Sequence, residues 1–448
     1  MFLIVDGRYR RKKQQFLLGA LTVSIFLGLV LFSRSVAITS QLYSRQGLEK
    51  VFLLSDIPQA NRSQPQQKTF DHVFDAYIQR HERALKNLDD ANTAFVKVEF
   101  LQAGLGNNIP QILNGMLLAL LTGRVLLVDY EKLPELFESK IELNWSKYEN
   151  KLTRSSESSF IYVLEHGNHD RDRTWLTLAT SDLKEVYGAH RIWGVRGFDY
   201  SAPLLQANPH YRVILQEWFP DGRIFYHVMR RFINIHSDIM AKVHSFKYSH
   251  FGKYTIGIHV RRLKNEKTVP QIRTYADVAL QVAMQSGVAL DDIRFFVAAD
   301  SPSVRQELSS MLGTHRVIYT PIDVLSTNEN NNPGGSLAEG LWDMGLLMHC
   351  DHRIVTLGSS YGQIAAAWTG LPYLTVMHLY ERLTTATEIL KVRYWGSALG
   401  EPCMYATLRI LSKEVKGGKW AEAARYLKEM PGYLPNVIGK REIDQAMN

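Results

Sequence analysis

Residues 254–262 read YTIGIHVRR and residues 293–302 read IRFFVAADSP. Each begins as a short, largely apolar run and then turns abruptly polar. Such a run, closed by polar or turn residues, fits a strand buried on both faces. Between them, residues 272–286 carry apolar side chains at helical spacing. Strand, helix, strand in that order predicts a parallel crossover unit.

The same alternation continues outward. Strands are expected at 315–320, 353–357 (RIVTL) and 371–376, with helices at 302–312, 336–349 and 361–369. Upstream, residues 95–101 (FVKVEFL) and 124–129 (RVLLVD) read as strands. A tight loop at 102–108 and an apolar helix over 109–122 join them, with Pro110 tolerated in the first turn. Residues 70–90 show helical periodicity and open the folded body, whereas 130–245 are less regular. The pattern predicts an α/β protein with mostly parallel sheets. Ligands in such sheets sit at the carboxyl ends of the strands, so the residues following each strand carry the functional argument.

After the first strand comes Gly104-Leu105-Gly106-Asn107. The third glycine of a dinucleotide fingerprint is replaced by Ile109, so these glycines serve a close ligand approach or simply a turn. On the strand at 254–260, alternation puts His259 and Arg261 on one side and Arg262 on the other. A guanidinium at a strand end can grip phosphate oxygens bidentately, or can be solvated surface charge. Asp300 follows the next strand as a ligand contact or, with Ser301 before Pro302, as a helix cap. Gly358-Ser359-Ser360-Tyr361-Gly362 places hydroxyls and backbone N–H groups at a helix start, an anion site. It also spells G-x-S-x-G, but only His378 follows Ser360 and no Asp or Glu lies between, so the hydrolase triad order fails. No P-loop and no HExxH are present. Asp170-Arg171-Asp172 follows a polar stretch and reads as a surface loop, and Ser336 with Glu339 reads as a capping box. Aromatic residues Trp193, Tyr200, Trp218 and Phe219, near Arg196, Asp199 and Asp221, suit either sugar rings or a core.

The 448 residues carry a net charge of +8. Half of that excess lies in residues 1–15, where five basic residues face Asp6, so no nucleic-acid footprint is expected. Residues 16–32 (FLLGALTVSIFLGLVLF) are uncharged and just long enough to span a bilayer. The positive-inside rule keeps 1–15 cytosolic and sends the rest across. The competing reading is a cleaved signal peptide at Ser35-Val36-Ala37. Both put the bulk of the chain in the secretory lumen, where the sequons at Asn61 and Asn144 become glycosylation sites and Cys350 and Cys403 are able to pair.

Taken in order, three segments resemble the GDP-fucose-dependent fucosyltransferases of the α1,2-, α1,6- and protein-O-fucosyltransferase superfamily. They are Gly104-Leu105-Gly106-Asn107 with the helix and strand behind it, Gly257-Ile258-His259-Val260-Arg261-Arg262, and residues 341–362 (LWDMGLLMHCDHRIVTLGSSYG), the last closest to the α1,2 branch. Residues 295–302 add a fourth, weaker match. Leu263-Lys264-Asn265-Glu266 departs from the Gly-Asp that follows the arginine pair in many α1,2 members. The resemblance implies a GT-B-like α/β fold of two Rossmann-like domains after a single transmembrane helix and stem. The expected organisation is a cytosolic tail (1–15), an anchor (16–32), a stem and leading helix (33–90), an acceptor-side domain (91–250) and a nucleotide-sugar domain (251–448). It implies metal-independent, inverting transfer of fucose from GDP-fucose to a glycan acceptor, with no cofactor, in a single-pass type II Golgi membrane protein. His259 and Asp300 would contact the guanosine, and Arg261 would hold the β-phosphate as the catalytic cation. Ser359, Ser360 and Tyr361 would close around the diphosphate, Gly104 and Gly106 would admit the donor, and Asn107 would sit in the cleft. Asp129, at a strand end, is a candidate general base or a structural cap. The alternatives are an inverting transferase for another nucleotide sugar and a catalytically inactive lumenal glycan-binding protein.

Overall fold

Twelve strands, β1 (Phe95–Glu99), β2 (Val125–Asp129), β3 (Phe137–Ser139), β4 (Phe160–Glu165), β5 (Ile192–Arg196), β6 (Ile233–Ile235), β7 (Tyr254–Val260), β8 (Ile293–Ala299), β9 (Val317–Ile318), β10 (His352–Thr356), β11 (Tyr373–Val376) and β12 (Tyr394–Ser397), form three sheets among the described residues. The principal helices are α1 (Phe70–Lys86), α2 (Leu105–Thr122), α3 (Ile224–Phe232), α4 (Ser237–His250), α5 (Ile272–Gln285), α6 (Pro302–Leu312), α7 (Leu337–His349), α8 (Ser360–Ala367) and α9 (Gly418–Glu429). The computed structural model describes residues 70–90, 92–101, 103–153, 159–165, 171–261, 272–322, 337–356, 359–376, 394–397, 401–402 and 418–429. The expected anchor at 16–32, the stem to residue 69, the Asn61 sequon, Asp170, Arg262, Ser336, Gly358 and Cys403 lie outside them. No helix among the described residues is long and apolar enough to cross a membrane.

The first sheet runs β2-β1-β5-β4 and is parallel throughout. The second runs β12-β11-β10-β7-β8-β9 and is parallel except for the edge strand β12. Each follows from its sequence. β2 is an almost wholly buried run of Val and Leu and β7 is buried from Thr255 to Val260, as a parallel sheet needs, whereas β1 sets Lys97 and Glu99 between its buried Phe95, Val96 and Val98. The irregular stretch 130–245 holds four strands that periodicity does not reveal: β4 and β5 of the first sheet, and β3 and β6, which pair with each other. β4 carries a bulge between Tyr162 and Leu164, which breaks its alternation.

Strand order reverses once in each sheet. From β1 the chain passes through α2 to β2 on one side, while β5 pairs on the other. From β7 it passes through α5 to β8, while β10 pairs on the other side. These reversals open a crevice at the carboxyl ends of the strands. One core runs between the sheets, joining Val96 and Leu126 to Leu347, Ile364 and Phe296. Residues 65–448 form one unit.

The last described helix crosses back. Ala423 and Ala424 of α9 are fully buried in that core, against helices Arg171–Thr180 and Ala202–Ala207 of the first half. Just before it, Glu401 is buried and clasps three elements. Its carboxylate accepts from the Tyr200 hydroxyl and from the Phe225 N–H (2.9 Å), and its carbonyl accepts from the Tyr373 hydroxyl (2.8 Å). Burial pushes its carboxyl up to about 8, against the pull of those hydrogen bonds. The folded protein therefore holds a proton here that the unfolded chain releases near pH 4.5, and stability falls as pH rises from there through 8. Glu401→Gln keeps an acceptor oxygen for the Phe225 N–H, turns an amide donor to the Tyr200 hydroxyl, and removes the titration. Its melting temperature should match the wild type near pH 5 and exceed it by a few degrees at pH 8.5, as scanning calorimetry would show.

Candidate functional site

Two helix amino termini meet at the crevice. Gly106 is the second residue of α2 and Tyr361 the second of α8. A Cβ on Gly106 would stand 2.3 Å from the Tyr361 nitrogen and 2.8 Å from the Ser360 carbonyl carbon. No side chain fits between these two turns, which is why glycine is required. Beside the contact, the Ser360 hydroxyl donates to Asn107 Oδ1 at 2.7 Å. A helix amino terminus carries N–H groups without intrahelical acceptors and a partial positive charge. Two of them abutting form a locus for an anion.

A cation follows the strand beside β10. Arg261 follows β7 directly, its N–H donating to Thr356 Oγ1 at the end of β10 (2.9 Å). Thr356 in turn is bonded to the His259 carbonyl (3.2 Å) and the Tyr275 hydroxyl (2.7 Å), which fixes the strand ends to α5. Burial drives the Tyr275 phenol upward, so it stays a neutral hydrogen-bonding group. The Arg261 guanidinium lies 3.1 Å from Asp300 Oδ2 and is 43% exposed. Asp300 is thus an ion-pair partner rather than only a cap, and Ser301 caps α6 without a side-chain bond to the helix backbone, its hydroxyl instead lying 2.9 Å from that of Ser303. His259 is buried with its ring on Gly362, where a Cβ would come within 2.4 Å of Nδ1, and 5.3 Å from the Tyr361 ring. Ser359 caps α8 in an extended conformation.

Some expected residues stand elsewhere. Tyr361 turns its hydroxyl inward to the Gly340 carbonyl of α7, and burial holds that phenol well above its ordinary value. Its backbone, not its hydroxyl, faces α2. Gly106 and Asn107 lie in the first turn of α2 and not in a loop, because the helix starts at Leu105 and Pro110 falls in its second turn. Gly104 is the cap, in extended conformation. Asp129 is paired with Lys97 at 2.8 Å, so at least one of its oxygens is committed to structure. Trp193, Tyr200 and Phe219 are core residues and offer no ring to a sugar. Asp221 is held well below the ordinary carboxylate range by His227 (2.8 Å) and Arg223 (2.7 Å), despite its partial burial. Asn144 pairs its backbone to Val128 beside β2. Cys350 is a free, buried thiol that donates to the Leu346 carbonyl.

An unforeseen feature is a ladder of buried amides on α2. Asn108 binds the Leu101 N–H (2.9 Å) and the Ala103 carbonyl (2.8 Å). Gln111 and Asn114 both donate to the Asp199 carbonyl (3.1 and 2.7 Å), and Asn114 accepts from the Ser201 N–H (3.0 Å). The ladder holds the loops after β1 and β5 to α2, and so fixes Asn107. Its signal in sequence is three amides at intervals of three on an otherwise apolar helix. Gly106→Ala should part α2 from α8 and cost about 1–3 kcal/mol, read as a lower urea midpoint. Asn107→Ala, which leaves the backbone contact intact, should cost about 1 kcal/mol or less.

No protein-family model matches the chain, and no curated protein does. Among solved structures it is similar to Arabidopsis thaliana FUT1, a mutant of which was solved in complex with GDP, with a TM-score of 0.58, 20% identity, and coverage of 77% of this chain and 86% of that one. It matches NodZ α-1,6-fucosyltransferase from Bradyrhizobium, soaked with GDP-fucose, at a TM-score of 0.42 and 16% identity over 64% of this chain and 95% of the other. It matches POFUT1 in complex with GDP at 0.40 and 10% over 62% and 95%. At these identities the likeness is one of fold, and the first of the three carries it. The protein therefore has the α/β fold of FUT1, in keeping with the resemblance to GDP-fucose-dependent fucosyltransferases.

Proposed function

We propose that the protein is a fucosyltransferase that moves fucose from GDP-fucose to a glycan hydroxyl, with inversion at the transferred carbon and without a metal ion. One observation carries the reading: two helix amino termini abut at the crevice, and Arg261, its backbone bonded to Thr356 at the end of β10, follows β7 where the strand order of the second sheet reverses. The sequence resemblance and a fold shared with a protein seen with GDP support it.

The chemistry follows from charge. As the C1–O bond to GDP breaks, its electron pair leaves with the β-phosphate while the sugar gains oxocarbenium character. The acceptor oxygen bonds C1 from the opposite face, and its proton passes to a base or to water. Charge thus accumulates on the diphosphate in the transition state. Fixed N–H dipoles and a guanidinium that need not reorganise are suited to absorb it. Arg261 takes the β-phosphate, steadied by Asp300 and by the Thr356 hydroxyl under its backbone. The backbone of Ser359, Ser360 and Tyr361 meets the diphosphate, Gly104 and Gly106 allow its close approach, and Asn107 lies beside the reacting carbon. His259 and Asp300 face the guanosine. A Golgi lumenal, single-pass type II placement rests on residues 1–34 of the sequence.

The test is release of GDP from GDP-fucose, against UDP from a parallel panel, with and without chelator and over a broad acceptor set. Arg261→Ala should lower turnover about 10²–10³-fold. Its melting temperature should barely move, since the side chain is 43% exposed. A requirement for manganese, or full activity in the alanine variant, would sink the proposal.

A further inference from the structure

The first sheet has two unlike faces. α2 covers one, packing on Val96, Val98 and Leu126. On the other, among the described residues, Trp145 and Leu152 pack the amino-terminal half against Phe95, Leu127 and Ile192, and the Trp145 ring reaches as far as Lys97, whose Nζ stands 4.8 Å from its centroid. Toward the carboxyl ends that second face turns polar and aromatic. Lys97 Nζ bridges Glu99 Oε1 (3.0 Å) and Asp129 Oδ2 (2.8 Å). The Tyr162 hydroxyl donates to Glu99 Oε2 at 2.9 Å.

Gly194 makes this reach possible. Tyr162 is on β4 and Glu99 on β1, with β5 between them. A Cβ at Gly194 would lie 2.5 Å from the rings of both Phe160 and Tyr162. The bare backbone lets the two rings lie across β5, edge to face at 4.7 Å. Phe160, 40% exposed, presents apolar surface beside the polar cluster.

We propose that this half-face is the subsite for the acceptor, a neutral saccharide, an inference that rests on the donor reading above. Lys97 and Arg196 stand against Glu99 and Asp129 in the cluster, so charges of both signs are present. The cluster offers an ammonium, a phenol and carboxylates side by side, which suits hydroxyls that both donate and accept. The exposed ring matches the C–H face of a pyranose. The subsite is also joined rigidly to the donor end. Leu101, two residues or about 7 Å of strand beyond Glu99, is bonded to Asn108, and the preceding Asn107 is bonded to Ser360.

The full chain, saturated with GDP, is titrated with lactose, N-acetyllactosamine, chitotriose and cellotriose and read by saturation-transfer NMR. At least one should bind. Phe160→Ala and Tyr162→Phe should weaken that binding fivefold or more, while GDP affinity stays within twofold. Saccharide binding unchanged in both variants, or no binding of any of the four while GDP binds normally, overturns the subsite alone. Failure of GDP to bind the wild-type protein overturns the donor reading and this inference with it. A self-associating protein whose dimer is broken by Phe160→Ala would show that a second copy covers the face, and would likewise overturn it.

Discussion

Backbone meets backbone where α2 and α8 join, and nothing but glycine fits there. That constraint couples the two sheets. It sets the height of Asn107 relative to Ser360, and it brings together two partial positive charges that would repel without a counter-charge. An arrangement of this kind is costly to leave empty and favourable to fill with an anion. The buried amides of α2 make it rigid from one side. Thr356, tied to Tyr275, His259 and Arg261, does so from the other. Preorganisation here is built from neutral hydrogen bonds, with the Arg261–Asp300 ion pair at the crevice itself.

Much of the second sheet was legible in the amino-acid order. β7, β8 and β10 are short stretches, apolar at their centres and closed by polar or turn residues, and their alternation with helical periodicity marks them as strands. His259, Arg261 and Ser360 were found because they follow such runs. Other features were hidden for definite reasons. β4 has a bulge that scrambles its alternation, and β5 contains a glycine and an arginine. The start of α2 was misplaced because a proline ordinarily marks a first turn, whereas Pro110 lies deeper in the helix. Trp193 and Tyr200 illustrate a general ambiguity: an aromatic residue among polar neighbours in sequence has none of them as neighbours in space once a strand or turn forms. Asp300 and Thr356 had local explanations, cap and strand end, and only the tertiary structure revealed their partners.

The polar side chains divide into two populations. One is buried and serves the frame: Asn108, Gln111, Asn114, Arg353 and Glu401 each bind backbone or a phenol across elements. The other sits at strand ends, half-buried, as opposed charges held near but not wholly out of water: Lys97 with Glu99 and Asp129, and Arg261 with Asp300. Ion pairs at intermediate burial can exchange a partner for a ligand at modest desolvation cost, whereas fully buried ones cannot. Their placement at the carboxyl ends of both sheets gives the crevice two distinct polar walls.

The return of α9 to the first half has a consequence for biosynthesis. Ala423 and Ala424 complete a core whose other members precede residue 370. On the ribosome, the earliest strands therefore emerge long before the helix that finishes their packing. Their packing is complete only once Ala423 and Ala424 have been made. A premature stop ahead of residue 418 therefore leaves the first-made half without two of its buried core residues, as well as cutting short the last.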